Sequence, residues 1–107
     1  MKRILMIEDN PDMKAHDKGL DLSTMFVAKT VEDGIKTLSE NDKFDLLYLD
    51  GTLPDGSYRD ILTWLSDHLE KVPEEIVSIS FMTAKNFYPM VQALQKSARR
   101  FNGTRTA

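Results

Sequence analysis

Three short apolar runs, each ended by an abrupt polar change, constrain this chain more than any other feature. Ile4-Leu5-Met6-Ile7 stops at Glu8-Asp9-Asn10-Pro11, the run from Phe44 to Leu49 stops at Asp50, and the run from Ile76 to Phe81 stops at Met82-Thr83. Runs of this length fit strands buried on both faces, as in a parallel sheet. A weaker strand is expected over Met25 to Lys29. Between the runs, apolar residues recur at helical period: Val31, Ile35 and Leu38; then Ile61, Leu65 and Leu69; then Phe87, Val91, Leu94, Ala98 and Phe101. Thr30 with Asp33, and Ser57 with Asp60, have capping-box-like spacing at the starts of the first two of these helices. Residues 12–22 are mostly polar with Gly19 among them, so a helix there is short or irregular, and the Gly, Pro, Asp and Ser of 50–57 mark a loop. The alternation of strands and helices predicts a parallel α/β sheet with right-handed crossovers. Ligands of such sheets gather at the carboxyl ends of the strands. Glu8, Asp9, Asp50 and Thr83 all follow strand ends, so acidic and hydroxyl groups are expected on one rim.

The bulk numbers narrow the function classes. At 107 residues the chain is read as one domain spanning 1–107, with 102–107 as a flexible tail. A net charge of -3 gives no general case for nucleic-acid binding. The absence of cysteine excludes disulfides, thiolate metal sites and cysteine nucleophiles. No apolar run approaches the roughly 20 residues that cross a bilayer, and the start is too short for a signal peptide, so a cytoplasmic location is expected. His16 and His68 lie in polar stretches without companion ligands and read as surface residues.

Two carboxylates after one strand and a third after its neighbour repel one another when bare. A hard divalent cation such as Mg²⁺ relieves that repulsion by accepting a few carboxylate oxygens and keeping several waters. It would also coordinate an incoming phosphoryl oxygen and ease attack by a carboxylate nucleophile.

"YLDGTLPDG", Tyr48 to Gly56, is similar to motifs of two families that put a phosphoryl group on aspartate. Phosphatases of the haloacid-dehalogenase type carry their nucleophile two residues before the aspartate of Asp-Gly-Thr, and Tyr48 stands at that position here. The second resemblance extends over most of residues 3–84. "ILMIEDNPD" (Ile4–Asp12), "AKTVEDGIKTL" (Ala28–Leu38), "FDLLYLDGTLPDGS" (Phe44–Ser57) and "ISFMTA" (Ile79–Ala84) resemble, in order, segments of the response-regulator receiver (CheY-like) family. The resemblance implies a flavodoxin-like, three-layer α/β/α fold. It implies Mg²⁺ held by Glu8, Asp9, Asp50 and the backbone carbonyl of Thr52. It makes Asp50 the phospho-acceptor and Thr83 the switch hydroxyl, with Ala84 leaving room for the phosphoryl group. The partners implied are a histidine kinase or phosphotransfer protein and a downstream protein, with no membrane and no nucleic acid.

Receivers of the usual kind also have a fifth strand ending in Lys-Pro, whose lysine pairs with the phosphoryl group. No Lys-Pro occurs here, so the sheet is expected to have four strands with the fifth βα unit missing. Ile76, Val77, Ile79 and Phe81 would then form a bare edge, open to a homodimer or a partner. These departures keep a phosphorylation-independent pseudo-receiver, acting as an interaction or dimerisation module, as the alternative function. The length, and Trp64 in the third helix, further resemble compact receiver-like domains proposed to process cyclic phosphates. Those carry Asp-His-Asp-Leu-Gly where this chain has Asp50-Gly51-Thr52-Leu53-Pro54, and His-Ser where it has Ser80-Phe81. A turnover enzyme is the least favoured reading.

Overall fold

The computed structural model describes residues 2–106, with side chains described through Gly103. Strand β1 (Ile4–Ile7) leads into helix α1 (Pro11–Lys18), whose proline occupies the first turn, where an N–H has no intrahelical partner. At its other end Gly19, at φ 67°, makes the left-handed C-cap. Strand β2 (Phe26–Ala28) and helix α2 (Val31–Glu40) follow, with the Thr30 side chain accepting from Asp33 N. Next come β3 (Leu46–Leu49), the two-residue strands β4 (Thr52–Leu53) and β5 (Gly56–Ser57), and α3 (Tyr58–Ser66). The capping box of Ser57 and Asp60 is closed in both directions. Strand β6 (Glu75–Ser78) and helix α4 (Phe87–Thr106) complete the chain.

The main sheet is parallel, in the order β2-β1-β3-β6. Period-two alternation sends Leu5 and Ile7, Leu47 and Leu49, and Ile76 into one core with Val31, Leu38, Ile61, Leu65, Phe87, Val91 and Leu94 from α2, α3 and α4. Met6, out of phase with Leu5 and Ile7, points to the opposite face and is fully buried there. The result is the three-layer α/β/α arrangement expected from the sequence.

Several details differ from that expectation. Residues 50–57 are not an irregular loop: β4 and β5 form an antiparallel hairpin, a pairing too short to leave a periodic signal. At the hairpin's tip the Asp55 carboxylate accepts from Val31 N at 2.7 Å and Glu32 N at 3.1 Å, capping α2. Helix α4 continues into the stretch read as a tail, taking in residues 102–106, while Ala107 lies outside the described residues.

The fourth strand of the sheet also ends early. Ladder bonding from β3 stops with Ile79 N donating to Leu49 O, and Phe81 lies beyond the strand, 72% exposed. Nor is the β6 edge left bare. Glu75 N and Ile79 N face β3, so Ser78 N and the Glu74 carbonyl face outward. Ser78 N donates to Tyr88 Oη at 3.2 Å, and Gln95 Nε2 donates to Glu74 O at 3.0 Å. Two side chains of α4 thus occupy groups that a fifth strand or another chain would otherwise take. Replacing both, Tyr88→Phe with Gln95→Ala, should expose the edge and raise concentration-dependent self-association in light scattering at unchanged helix content. An unchanged molar mass would show that the edge is closed by other means.

Candidate functional site at the carboxyl ends of the strands

Register builds the site. Ile7 pairs with Leu49, and Leu49 with Ser78, so the three strands end in one row. The ladder runs one residue further: Glu8 N donates to Ala28 O at 2.9 Å and Asp50 N to Ile7 O at 3.0 Å. Glu8 and Asp50 are therefore fixed in backbone position before their side chains make any contact. One carboxylate oxygen from each of Glu8, Asp9 and Asp50 lies within 4.8 Å of the others.

The three carboxylates sit in different environments. Asp9 is exposed and Asp50 half-buried, whereas Glu8 is only 1% exposed. Burial, a hydrogen bond to Asp50 and the charges of Asp50 and Asp9 push the Glu8 carboxyl up to about 8, against the pull of Lys14. Its Oε2 is buried with no hydrogen-bond partner among the described residues. A buried acceptor oxygen of this kind, beside two further carboxylates, is a donor set that suits a hard cation.

Asp50 is held by a closed triangle. Gly51 N donates both to Asp50 Oδ1 at 2.8 Å and to Ser80 Oγ at 2.7 Å, and Ser80 Oγ donates to Asp50 Oδ1 at 3.0 Å. A Cβ on residue 51 would lie 2.9 Å from Ser80 Oγ, so the glycine is what lets the hydroxyl approach the backbone. A cavity of about 520 Å³ opens over the triangle, and Asp50, Thr52, Ser80, Ala84, Lys14 and Arg59 are among the residues that line it.

The structure thus gathers Glu8, Asp9 and Asp50, with Thr52 and Ala84 on the cavity wall, but it does not gather Thr83. That residue is exposed and is not among those that line the cavity, and the hydroxyl against Asp50 belongs to Ser80. Counting the apolar Phe81 into the strand displaced the expected strand end by three residues. Lys14 is the second residue that sequence reasoning missed. It falls in phase with Pro11 and Ala15 on the buried face of α1, and a lysine at a core-phase position was the available signal.

The raised Glu8 carboxyl makes stability depend on pH. Below about 4.5 the carboxyl is protonated in both folded and unfolded chains, and it exerts no pH effect. As pH rises from there to about 8 the unfolded chain releases the proton while the folded one keeps it, so stability falls, and the loss is complete above the folded value. Glu8→Gln removes this loss. In metal-free buffer its melting temperature should match wild type near pH 4 and exceed it at pH 9, as read by circular dichroism.

No protein-family model matches the chain, and no curated protein matches it. Solved structures do. The MaeR response regulator bound to beryllium trifluoride superposes with a TM-score of 0.62 and 26% identity, covering 89% of this chain and 78% of that one. A two-component response regulator from Clostridium difficile gives 0.63 and 19%, over 89% and 78% of the two chains. The non-phosphorylated HemR receiver domain from Leptospira biflexa gives 0.50 and 21%, over 89% and 94%. With its parallel sheet in the order β2-β1-β3-β6, helices on both faces and an acidic cluster at the strand ends, the chain is a receiver-like domain of flavodoxin-like fold.

Proposed function

We propose that this domain is a phospho-accepting signalling module whose acceptor is Asp50. The observation that carries this reading is the convergence of Glu8, Asp9 and Asp50 at one point, with Asp50 also lining an open cavity. In the reaction, Asp50 Oδ2 attacks phosphorus while Oδ1 stays tied to Gly51 N and Ser80 Oγ. A P–O bond forms, and the bond from phosphorus to the donor breaks. For a phosphohistidine donor the leaving imidazole nitrogen takes up a proton from solvent. A histidine kinase or phosphotransfer protein is the donor of that chemistry, and a downstream protein reads the added charge.

The buried, unpartnered Glu8 Oε2 and the two carboxylates beside it fit Mg²⁺. Glu8, Asp9, Asp50 and the Thr52 carbonyl would hold it. Bound there, it supplies charge neutralisation and coordination of a phosphoryl oxygen. The Ser80 hydroxyl, whose one proton goes to Asp50 Oδ1 before transfer, would turn to donate to the new phosphoryl group. A second reading, docking of a partner without phosphorylation, is favoured by the exposure of Phe81 and of Met82, the latter 88%, beside the same cavity.

Acetyl phosphate with Mg²⁺ separates the two. Wild type should gain the mass of one phosphoryl group and Asp50→Asn none, as seen by intact-mass spectrometry. No gain in wild type would leave the docking reading. Ser80→Ala should change the lifetime of the phosphorylated form a few-fold, the scale of one hydrogen bond, whereas Thr83→Ala should leave it unchanged. Mg²⁺ should raise the melting temperature of wild type more at pH 8 than at pH 5, because at the lower pH it must displace the Glu8 proton.

A further inference from the structure

Lys14 is a lysine only 4% exposed, in a residue class almost always solvated. Its stem does not run out to water from α1. It crosses the carboxyl ends of the sheet, and Nζ donates to Ile79 O at 3.0 Å, a contact between residues 65 apart in the chain. The ammonium also lies 3.7 Å from the centroid of the Phe81 ring. Together with Asp50, Gly51 and Ser80 it lines the cavity over the acceptor.

An ammonium carries three donors. Here one is taken by a neutral carbonyl and the charge faces an aromatic ring, while Glu8 is the nearby acid its charge acts on. A phosphoryl group on Asp50 would bring further negative charge to a place already holding three carboxylates. Two basic residues line the cavity. Arg59 is exposed, its guanidinium 5.5 Å from the Tyr58 ring, and its charge is screened by solvent and salt. Lys14 is buried, where the same charge acts with less screening.

We propose that Lys14 is the cation that binds the phosphoryl group on Asp50, exchanging its contact with the Phe81 ring for phosphoryl oxygens. The inference rests on the reading of Asp50 as phospho-acceptor. It adds a consequence: the exposed Phe81 ring is released when the site is charged and held when it is not. Chemical state at the half-buried aspartate is thereby coupled to an aromatic group on the surface.

The test uses beryllofluoride, a stand-in for the phosphoryl group, titrated with Mg²⁺ into the full chain and followed by fluorine NMR and melting temperature. Lys14→Met should bind at least about tenfold more weakly than wild type, the scale of one charged hydrogen bond, with Lys14→Arg recovering part of the loss. Arg59→Met, which removes an exposed and screened charge, should lose less than Lys14→Met. Phe81→Ala removes the competing partner and should bind more tightly, which a purely structural role for the Lys14–Phe81 contact would not produce. If Lys14→Met binds like wild type while Asp50→Asn does not bind, the role of Lys14 is overturned and the acceptor reading stands. If wild type itself does not bind, both fall. Should Lys14→Met fail to fold, Lys14→Gln replaces it, and binding by Lys14→Gln as tight as by Lys14→Arg overturns the inference.

Discussion

The parallel pairing of β1 with β3 is the constraint from which the rest of the site follows. Because Ile7 lies opposite Leu49, the next residue of each strand is a carboxylate, and backbone hydrogen bonds hold both in place. The repulsion that results cannot be relaxed by moving either strand without breaking a ladder that buries Leu5, Ile7, Leu47 and Leu49 completely. The fold therefore concentrates electrostatic cost at one point and holds it there with hydrophobic burial. Without a cation the cost appears as a Glu8 carboxyl pushed well above the ordinary carboxylate range. A receiver-like site is in this sense a place where the core forces charges together and leaves a counter-charge to be supplied.

Around that point the supporting groups come from three separate segments. Gly51 brings backbone N–H, the segment just after β6 brings the Ser80 hydroxyl, and α1 brings the Lys14 ammonium, each fixed by a hydrogen bond to a distant part of the chain. None of them lies adjacent to the acidic pair at Glu8 and Asp9 in sequence. The site therefore draws on residues far apart in the chain, and it is complete only when β1, β3 and β6 lie side by side.

This sets which parts are legible in the sequence. The strands before Glu8 and Asp50 are readable because a continuous apolar run broken by an acidic residue marks a strand that is buried along its length and meets solvent at its end. The capping residues Thr30 and Ser57 are readable because their chemistry is local, three residues long. Ser80 is hidden by Phe81, an apolar residue whose exposure no periodicity reveals. Lys14 lies in a polar stretch whose helix is only eight residues long, so its phase with Pro11 and Ala15 is a faint signal of burial. The hairpin of β4 and β5 is hidden because Pro54, Asp55 and Gly56 signal a turn whether or not strands flank it. Asn102 and Gly103 suggest an end to α4 that the helix passes through.

The Asp55 cap gives the loop after Asp50 an anchoring role. Its two oxygens accept from the first two N–H groups of α2, so the hairpin tip is tied to that helix. Those bonds, Val31 N first and Glu32 N second, hold the Asp55 carboxyl below the usual carboxylate range, so the grip persists into mild acid. The cap lies only five residues after Asp50, and it sits at the start of a helix that packs against β2 and α3.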